Sequence, residues 1–292
     1  MKPPVEPKAE DCCNSGCNPC IFDVYEKQLQ LYHKSLRGEG EKLLEGENGI
    51  SQLNYTTFVV TEKIIICDSH VLIKFKNLES HKKVTWSAGD HFLIKYYGET
   101  KSCTKAYTPI HFDKDKDSDF IILLKRYSNG LVSNFLYALE IGTPTLWRGP
   151  YGSFKLFPNK YKRMFMIAQG TGIATFIKII EDVLKDEDNF TKIILLFCCK
   201  NISCILLREY LYSCNSYWNF DYQIFLSTYS DSACYKYKEP IVNHKLSAAD
   251  FETFVPFTSS DQFLACGSAE FMNHFKNLLS DKNIPSENIC LF

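Results

Sequence analysis

The chain has 292 residues, 45% of them hydrophobic and 23% charged, and a formal net charge of −1. At roughly 100–200 residues per domain this composition predicts two globular domains with sizeable cores. The near-zero charge removes any global reason to expect nucleic acid or an anionic membrane as a partner.

The first 20 residues are rich in proline and cysteine and cannot pack a core alone. Within them Asp11-Cys-Cys-Asn-Ser-Gly-Cys-Asn-Pro-Cys20 gathers Cys12, Cys13, Cys17 and Cys20. The spacing Cys13-x3-Cys17-x2-Cys20 also occurs in iron–sulfur sites, and Cys17-x2-Cys20 can open a zinc site. No second Cys-x2-Cys or His-x3-His partner follows. A metal site, a thiol-based redox or assembly role, and a structural arm therefore all stay open. The other nine cysteines are scattered through apolar or mixed segments, where free cysteine behaves as a small buried hydrophobe. Neither a signal-peptide core, an arginine-rich transit peptide, a lipidation motif nor an apolar run of roughly 20 residues is seen. The expectation is a cytoplasmic chain without a membrane span or a disulfide framework.

Residues 21–35 place Ile21, Val24, Tyr25, Gln28, Leu31 and Tyr32 at helical spacing, which predicts a short amphipathic helix closing a Cys-rich segment, 1–35. Residues 36–52, with four glycines and several glutamates, read as a linker. From 53 to 158 come short β-type runs: Thr57–Thr61, Lys63–Cys67, His70–Phe75, His91–Tyr96 and Phe120–Lys125. Turn signals such as Ala88-Gly-Asp90 lie between some of them, and the pattern predicts a barrel or sandwich. A helix at about 132–139 interrupts it after Asn129-Gly130. From 159 to 292 strands alternate with helices. The strand runs are Met164–Ala168, Ile193–Phe197, Gln223–Ser227 and Gln262–Cys266. Helices are expected after the first (stripe Ile173, Phe176, Ile177, Ile180, Leu184), near 205–213 and at about 269–280. Such alternation predicts a parallel sheet with helices on both sides.

Three stretches carry chemistry. Gly170-Thr171-Gly172 sits between an apolar strand and an amphipathic helix, where free N–H groups attract phosphate. It lacks the third glycine of the usual dinucleotide fingerprint, so an ordinary tight turn is the competing reading. Cys266-Gly267-Ser268 repeats the arrangement before the last helix. Ligands of an open parallel sheet bind at the carboxyl ends of its strands, so both turns are expected to face one crevice, with Cys266 looking into it. Lys105-Ala-Tyr-Thr-Pro-Ile110 offers a cation for phosphate, a ring for a planar cofactor and a threonine hydroxyl, or else a strand end capped by a Thr-Pro turn.

The order of these pieces, with Lys125-Arg-Tyr127, Asn129-Gly-Leu-Val-Ser133 and Arg148-Gly-Pro-Tyr-Gly152 between them, resembles the ferredoxin–NADP reductase superfamily over about 53–292. More narrowly it resembles the NADH–cytochrome b5 reductase branch, in the form that carries an oxidoreductase-like cysteine module in front. The resemblance implies a FAD-binding β-barrel domain (53–158) followed by an NAD(P)H-binding α/β parallel-sheet domain (159–292). It implies that Lys105 pairs with the FAD pyrophosphate, that Tyr107 packs on the isoalloxazine or ribityl region, and that Thr108 hydrogen-bonds near flavin N5. Lys125 and Tyr127 would line the flavin, and Gly130, Leu131, Val132 and Ser133 would hold the pyrophosphate. Gly170, Thr171 and Gly172 would receive the nicotinamide nucleotide, while Cys266 and Gly267 would sit where hydride passes to N5. Ala106, Pro109, Leu123, Ser268 and Phe271 complete the implied cofactor contacts, and Thr108 and Cys266 are the implied catalytic residues.

The implied activity moves hydride from NAD(P)H to FAD, then electrons to cytochrome b5 or another one-electron acceptor protein, in a chain expected to be monomeric. Lys155, Lys160, Lys162 and Arg163 are candidates for docking that acceptor. Departures from the family pattern are Lys105 for an arginine, His111 for a serine, Gln169 for a glycine and Thr175 for a proline. Cys204 stands where NADH-specific relatives carry an acid, which leaves NADPH open. Two further readings remain: a non-catalytic scaffold of reductase fold, and an NADPH-dependent reductase of small acceptors.

Overall fold

The helical spacing in residues 21–35 is realised as α1 (Ile21–Leu36), with Asp23 in its first turn. The computed structural model describes residues 3–9, 20–36, 48–79, 81–98, 102–113, 115–229 and 231–292. It forms two units, Met1–Phe154 and Lys155–Phe292.

Period-two burial builds the first unit. Phe58 and Val60 are buried in β1 (Thr56–Cys67), and Val71, Ile73 and Phe75 in β2 (His70–Lys76). With β3 (His91–Tyr97), β4 (Ser102–Tyr107), β5 (Phe120–Lys125) and β6 (Pro144–Tyr151) they make an antiparallel sheet in the order β4-β3-β6-β1-β2-β5. A bridge between Ile110 and Ile121 joins the segment after β4 to β5 and closes the sheet toward a barrel. Phe120 is the hub of its interior, with ring centroids 5.0–5.2 Å from Phe58, Phe75, Phe92 and Trp147. Helix α2 (Leu131–Ala138) contributes Val132 and Leu136 to the same core.

The β3–β4 register pairs Phe92 with Tyr107, Leu93 with Ala106 and Ile94 with Lys105. Phe92 and Ile94 belong to the barrel core, against which Tyr107 packs. Leu93 and Ala106 turn the other way and receive α1: Val24, 2% exposed, clusters with Leu93, Tyr151 and Ala106. The helix that follows the cysteine segment is thus part of this unit's packing. Its Gln28 side chain also donates to the Leu53 carbonyl.

The second unit is a parallel sheet in the order β10-β9-β8-β7-β11-β12, as the strand–helix alternation predicts. Its elements are β7 (Arg163–Gln169), α3 (Ala174–Lys185), β8 (Lys192–Cys199), α4 (Arg208–Cys214), β9 (Phe220–Leu226), β10 (Ile241–Val242), β11 (Asp261–Cys266), α5 (Ala269–Asp281) and β12 (Ile289–Leu291). Strands β7 and β8 are buried almost end to end, the mark of a sheet covered on both faces.

Local details differ from expectation for physical reasons. The runs at 57–61 and 63–67 form one strand, because β1 absorbs the break as register irregularities between Val60 and Glu62 and between Ile65 and Cys67. Strand β6 gives no alternating signal because it carries Pro144, Arg148, Gly149 and Pro150. The helix expected near 205 starts at Arg208. Before it, Asn201 caps a 3-10 turn over Ile202–Cys204 and Leu207 takes a φ of 56°. On α3 the buried stripe ends on Val183 rather than Leu184.

One ion pair anchors the sheet. Arg163 donates through Nε to Asp261 Oδ1 at 2.7 Å and through Nη2 to Asp261 Oδ2 at 2.6 Å. Two more of its N–H groups reach the Phe254 and Pro256 carbonyls at 2.9 and 2.8 Å. Arg163, expected among docking cations, is therefore committed to structure. Burial works against the Asp261 carboxylate, but the Arg163 guanidinium and the Thr258 N–H outweigh it and hold its pKa below the usual value. The stability this lends is present above the unfolded pKa of about 3.9 and is lost as pH falls through the lower folded value.

Two outcomes are expected in denaturant titrations. Phe120→Ala, which removes the hub ring, costs about 3–5 kcal/mol. Asp261→Asn leaves Arg163 without its carboxylate and costs about 3 kcal/mol at pH 7; the gap to wild type narrows below about pH 4, and a gap that stayed constant would contradict the pair's role.

Candidate functional site

In the first unit the implied flavin residues fall on neighbouring segments. Tyr107 ends β4, its ring 6.2 Å from Trp147, and burial pushes its hydroxyl pKa well up, with Tyr127 and Cys103 adding to the shift. Tyr107 and Tyr127 are thereby close enough to interact. Lys105 and Ala106 are half-buried on β4, Thr108 is half-buried, and Pro109 is buried beside the Ile110–Ile121 bridge. Leu123 is buried in β5, whereas Lys125 is exposed with its Nζ 5.3 Å from the Tyr127 ring centroid.

The turn that opens α2 is built by its own side chains. Ser133 Oγ accepts from the Tyr127 N–H at 3.2 Å and donates to the Gly130 carbonyl at 3.2 Å. Asn134 Nδ2 donates to the carbonyls of Tyr127, Ser128 and Gly130. A Cβ at Gly130 would fall 2.3 Å from Ser133 Oγ, so a larger residue there would displace the hydroxyl from both of its hydrogen bonds. Leu131 is exposed, while Val132 and Ser133 are buried, so the helix start presents backbone N–H groups with little side chain over them. A short turn feeding free N–H groups fits a pyrophosphate. His111 departs from this economy: its Nδ1 is buried with no hydrogen-bond partner among the described residues, and burial lowers its pKa despite the nearby Asp115 and Asp113.

In the second unit β7 and β11 are parallel neighbours whose register runs from Arg163–Asp261 to Ala168–Cys266. The strands end together, and both glycine turns follow at once. A Cβ at Gly172 would lie 2.4 Å from the Cys266 carbonyl oxygen, and one at Gly267 would lie 2.7 Å from the Phe271 ring. At Gly170, where φ is 53°, it would meet nothing within 4 Å. The paired turn is closed against its neighbour at Gly172 and Gly267, and open at Gly170. Thr171 lies in the short 3-10 turn that leads into α3. Turns of this kind at the carboxyl ends of parallel strands are where ligands of such sheets bind, and the N–H groups of a helix start attract phosphate.

Two departures from the family pattern acquire roles here. Gln169, standing for a glycine, accepts the Ser268 N–H on its Oε1 at 3.1 Å and so ties one turn to the other. Thr175, standing for a proline, brings its Oγ1 to 3.3 Å from Cys266 Sγ. Burial pushes the Cys266 thiol up, with Thr175 pulling the other way, so at neutral pH it is a thiol and not a thiolate. Ser268 caps α5 by accepting the Phe271 N–H at 3.3 Å, and the Phe271 ring packs 4.7 Å from Phe275. Sequence reading missed the Gln169 and Thr175 contacts, since a polar residue at a non-consensus position signals only a mismatch.

Beyond β8, Asn201 Oδ1 accepts from the Cys204 N–H at 3.2 Å and from Ser203 Oγ at 2.8 Å. Arg208 is bound to Glu239 and to the Cys234 carbonyl, so it is held away from the loop. Of the four N-terminal cysteines proposed as metal ligands, Cys12, Cys13 and Cys17 lie outside the described residues. Cys20 directly precedes α1, its N–H donating to Asp23 Oδ2 at 2.6 Å. Among the described residues no helix is long and apolar enough to cross a membrane.

Comparisons with known proteins agree with the two-unit fold. The family described as an oxidoreductase FAD-binding domain matches residues 57–156, and the oxidoreductase NAD-binding domain matches 166–277. The N-terminal oxidoreductase-like family matches 1–40. A human NADH-cytochrome b5 reductase-like protein is 29% identical over 99% of this chain and 94% of its own length. NADH-cytochrome b5 reductase 1 of Candida albicans is 34% identical over 54% of this chain and 53% of its own length. Among solved structures, the cytochrome b5 reductase domain of Ulva prolifera nitrate reductase superposes with a TM-score of 0.70. That match has 21% identity and covers 84% of this chain and all of that one. A Neisseria gonorrhoeae ferredoxin NADP+ reductase with bound FAD and NADP gives a TM-score of 0.66 at 16% identity, covering 82% of this chain and 98% of its own. The fold and the domain matches define an oxidoreductase that binds FAD and NAD. Over nearly its whole length the chain is similar to proteins named NADH-cytochrome b5 reductase-like.

The turn geometry generates a contrast. Gly172→Ala, which drives a methyl into the Cys266 carbonyl, should cost about 1–3 kcal/mol and abolish nicotinamide-nucleotide binding. Gly170→Ala meets open space and should cost about 1 kcal/mol from its left-handed backbone alone. Paired thermal melts and nucleotide titrations of the two variants check this, and equal losses would contradict it.

Proposed function

We propose that the chain oxidises a reduced nicotinamide nucleotide and passes its electrons to a one-electron acceptor protein of the cytochrome b5 kind. The paired glycine turns at the ends of β7 and β11, closed at Gly172 and open at Gly170, carry this reading. FAD, when bound, supplies the conversion from two-electron to one-electron transfer. The residues of the chain have simpler tasks. Lys105 offers the pyrophosphate a point charge in place of a bidentate fork. Tyr107 covers the flavin with a ring fixed against Trp147, and Thr108 offers a hydroxyl toward N5. Gly130 to Ser133 hold the pyrophosphate at the helix start, while Lys125 and Tyr127 line the flavin. Gly170, Thr171, Gly172, Gly267 and Ser268 hold the nucleotide. Cys266 stands by the nicotinamide as a neutral, buried thiol that excludes water without competing as a nucleophile.

NADPH is accepted beside NADH in this reading. An acid in the ribose loop would accept hydrogen bonds from the ribose and repel a 2′-phosphate; Cys204 does neither, and the exposed Lys200 lies four residues before it. Lys155, Lys160 and Lys162 remain for an acidic partner, with Lys160 Nζ within 5.0 Å of the Tyr161 ring centroid. The ten cysteines among the described residues that form no disulfide suit a reducing, cytoplasmic location.

Anaerobic titration of the FAD-loaded protein tests the proposal. NADH and NADPH should both bleach the flavin band, and cytochrome b5 should restore it. Cys204→Asp should shift preference toward NADH by about tenfold or more. A protein that binds no FAD, or whose flavin neither nucleotide reduces, would rule out the proposal in favour of a non-catalytic scaffold. Reoxidation by small acceptors but not by cytochrome b5 would leave the reductase and remove the protein acceptor.

A further inference from the structure

Arg148 on β6 is 5% exposed, yet among the described residues its Nε and Nη2 have no hydrogen-bond partner. Buried polar groups in native proteins are almost always satisfied, and a charged one most of all. The two unpaired nitrogens are the side-on edge of the guanidinium, whose parallel N–H groups match two oxygens of a carboxylate or phosphate. Arg148 is paired in register with Leu93, which packs with Ala106 and Val24 of α1. It therefore lies on the outer face of the sheet, away from the core face that Tyr107 shares with Trp147. Of the implied flavin residues on β4, Lys105 and Tyr107 lie on the opposite face.

A second cation converges on the same place. The Arg148 guanidinium carbon lies 4.8 Å from the Tyr55 ring centroid, and Lys95 Nζ lies 5.4 Å from it. Tyr55 is held by a 3.3 Å hydrogen bond between its hydroxyl and Thr104 Oγ1. Among the described residues neither Arg148 nor Lys95 makes an ion pair. Cation–π contact tempers two nearby positive charges but supplies no acceptor for their N–H groups.

We propose that Arg148 and Lys95, set around Tyr55, form an oxyanion-binding site on the outer face of the first unit, taking a small phosphate or carboxylate. Arg148 provides the two-toothed contact and the half-buried Lys95 provides the outer charge and the approach.

The test is thermal unfolding of the full chain with FAD bound, titrated with inorganic phosphate, acetate or chloride at constant ionic strength. FAD occupies its own phosphate contacts and keeps them out of the readout. Phosphate, acetate or both should raise the unfolding midpoint in a saturable way that chloride does not reproduce, and the stronger of the two names the ligand class. Arg148→Lys, which keeps the charge but loses the fork, should weaken that response about tenfold, and Arg148→Met should abolish it. Lys95→Gln, at a half-buried position that spares the core, should weaken it severalfold and keeps the test valid if the Arg148 variants fail to fold. An identical response to all three ions, or a phosphate response unchanged by Lys95→Gln and the Arg148 variants, would overturn the proposal.

Discussion

The fork between Arg163 and Asp261 is the constraint on which the nucleotide-binding half depends. These two residues open β7 and β11 and are partners in the strand register, so their two hydrogen bonds set which residue faces which along both strands. Five residues later the same register delivers Ala168 beside Cys266, and the two glycine turns emerge side by side. A slip of one residue would exchange the faces of β11 and carry Cys266 away from Thr175. The geometry at the carboxyl end is therefore written partly at the amino end, by a pair at the opposite end of both strands.

The first unit solves a different problem, that of using both faces of one strand. On β4, Lys105 and Tyr107 share the barrel side with Ile94 and Phe92, while Ala106 between them meets Leu93 and Val24 on the back. Alternation makes this division automatic. It also means that α1, the last part of the cysteine-bearing segment, rests directly behind the strand proposed to contact the flavin. Any change in how α1 seats has a short route to Tyr107, through Ala106 alone.

The departures from the family pattern illustrate how a mismatch in sequence becomes a contact in space. Gln169 costs the turn a glycine and returns a hydrogen bond to Ser268; Thr175 gives up the rigidity of proline and partners Cys266. Lys105 and Cys204 are substitutions of chemistry: a fork becomes a point charge, and an acid becomes a neutral thiol. The first pair tightens the scaffold, and the second bears on which ligands it prefers.

Local pattern was enough for much of this protein. Alternating apolar residues gave away the barrel strands, continuous apolar runs the parallel sheet, and glycine after each of two strand ends the paired tight turns, because each signal spans fewer than about ten neighbouring residues. Strand β6 was illegible because its prolines, glycine and arginine break the alternation, although it carries Trp147 and Arg148. What only the tertiary structure decided were the partnerships between distant residues. Arg163 and Asp261 are separated by 98 positions and Gln169 and Ser268 by 99. Arg163 read as a docking cation until the sheet brought Asp261 to it, and Arg148 read as one letter of a family motif until folding buried its guanidinium. Composition and spacing determine which elements form; which charge meets which oxygen is set by register and burial, and neither exists before the chain has folded.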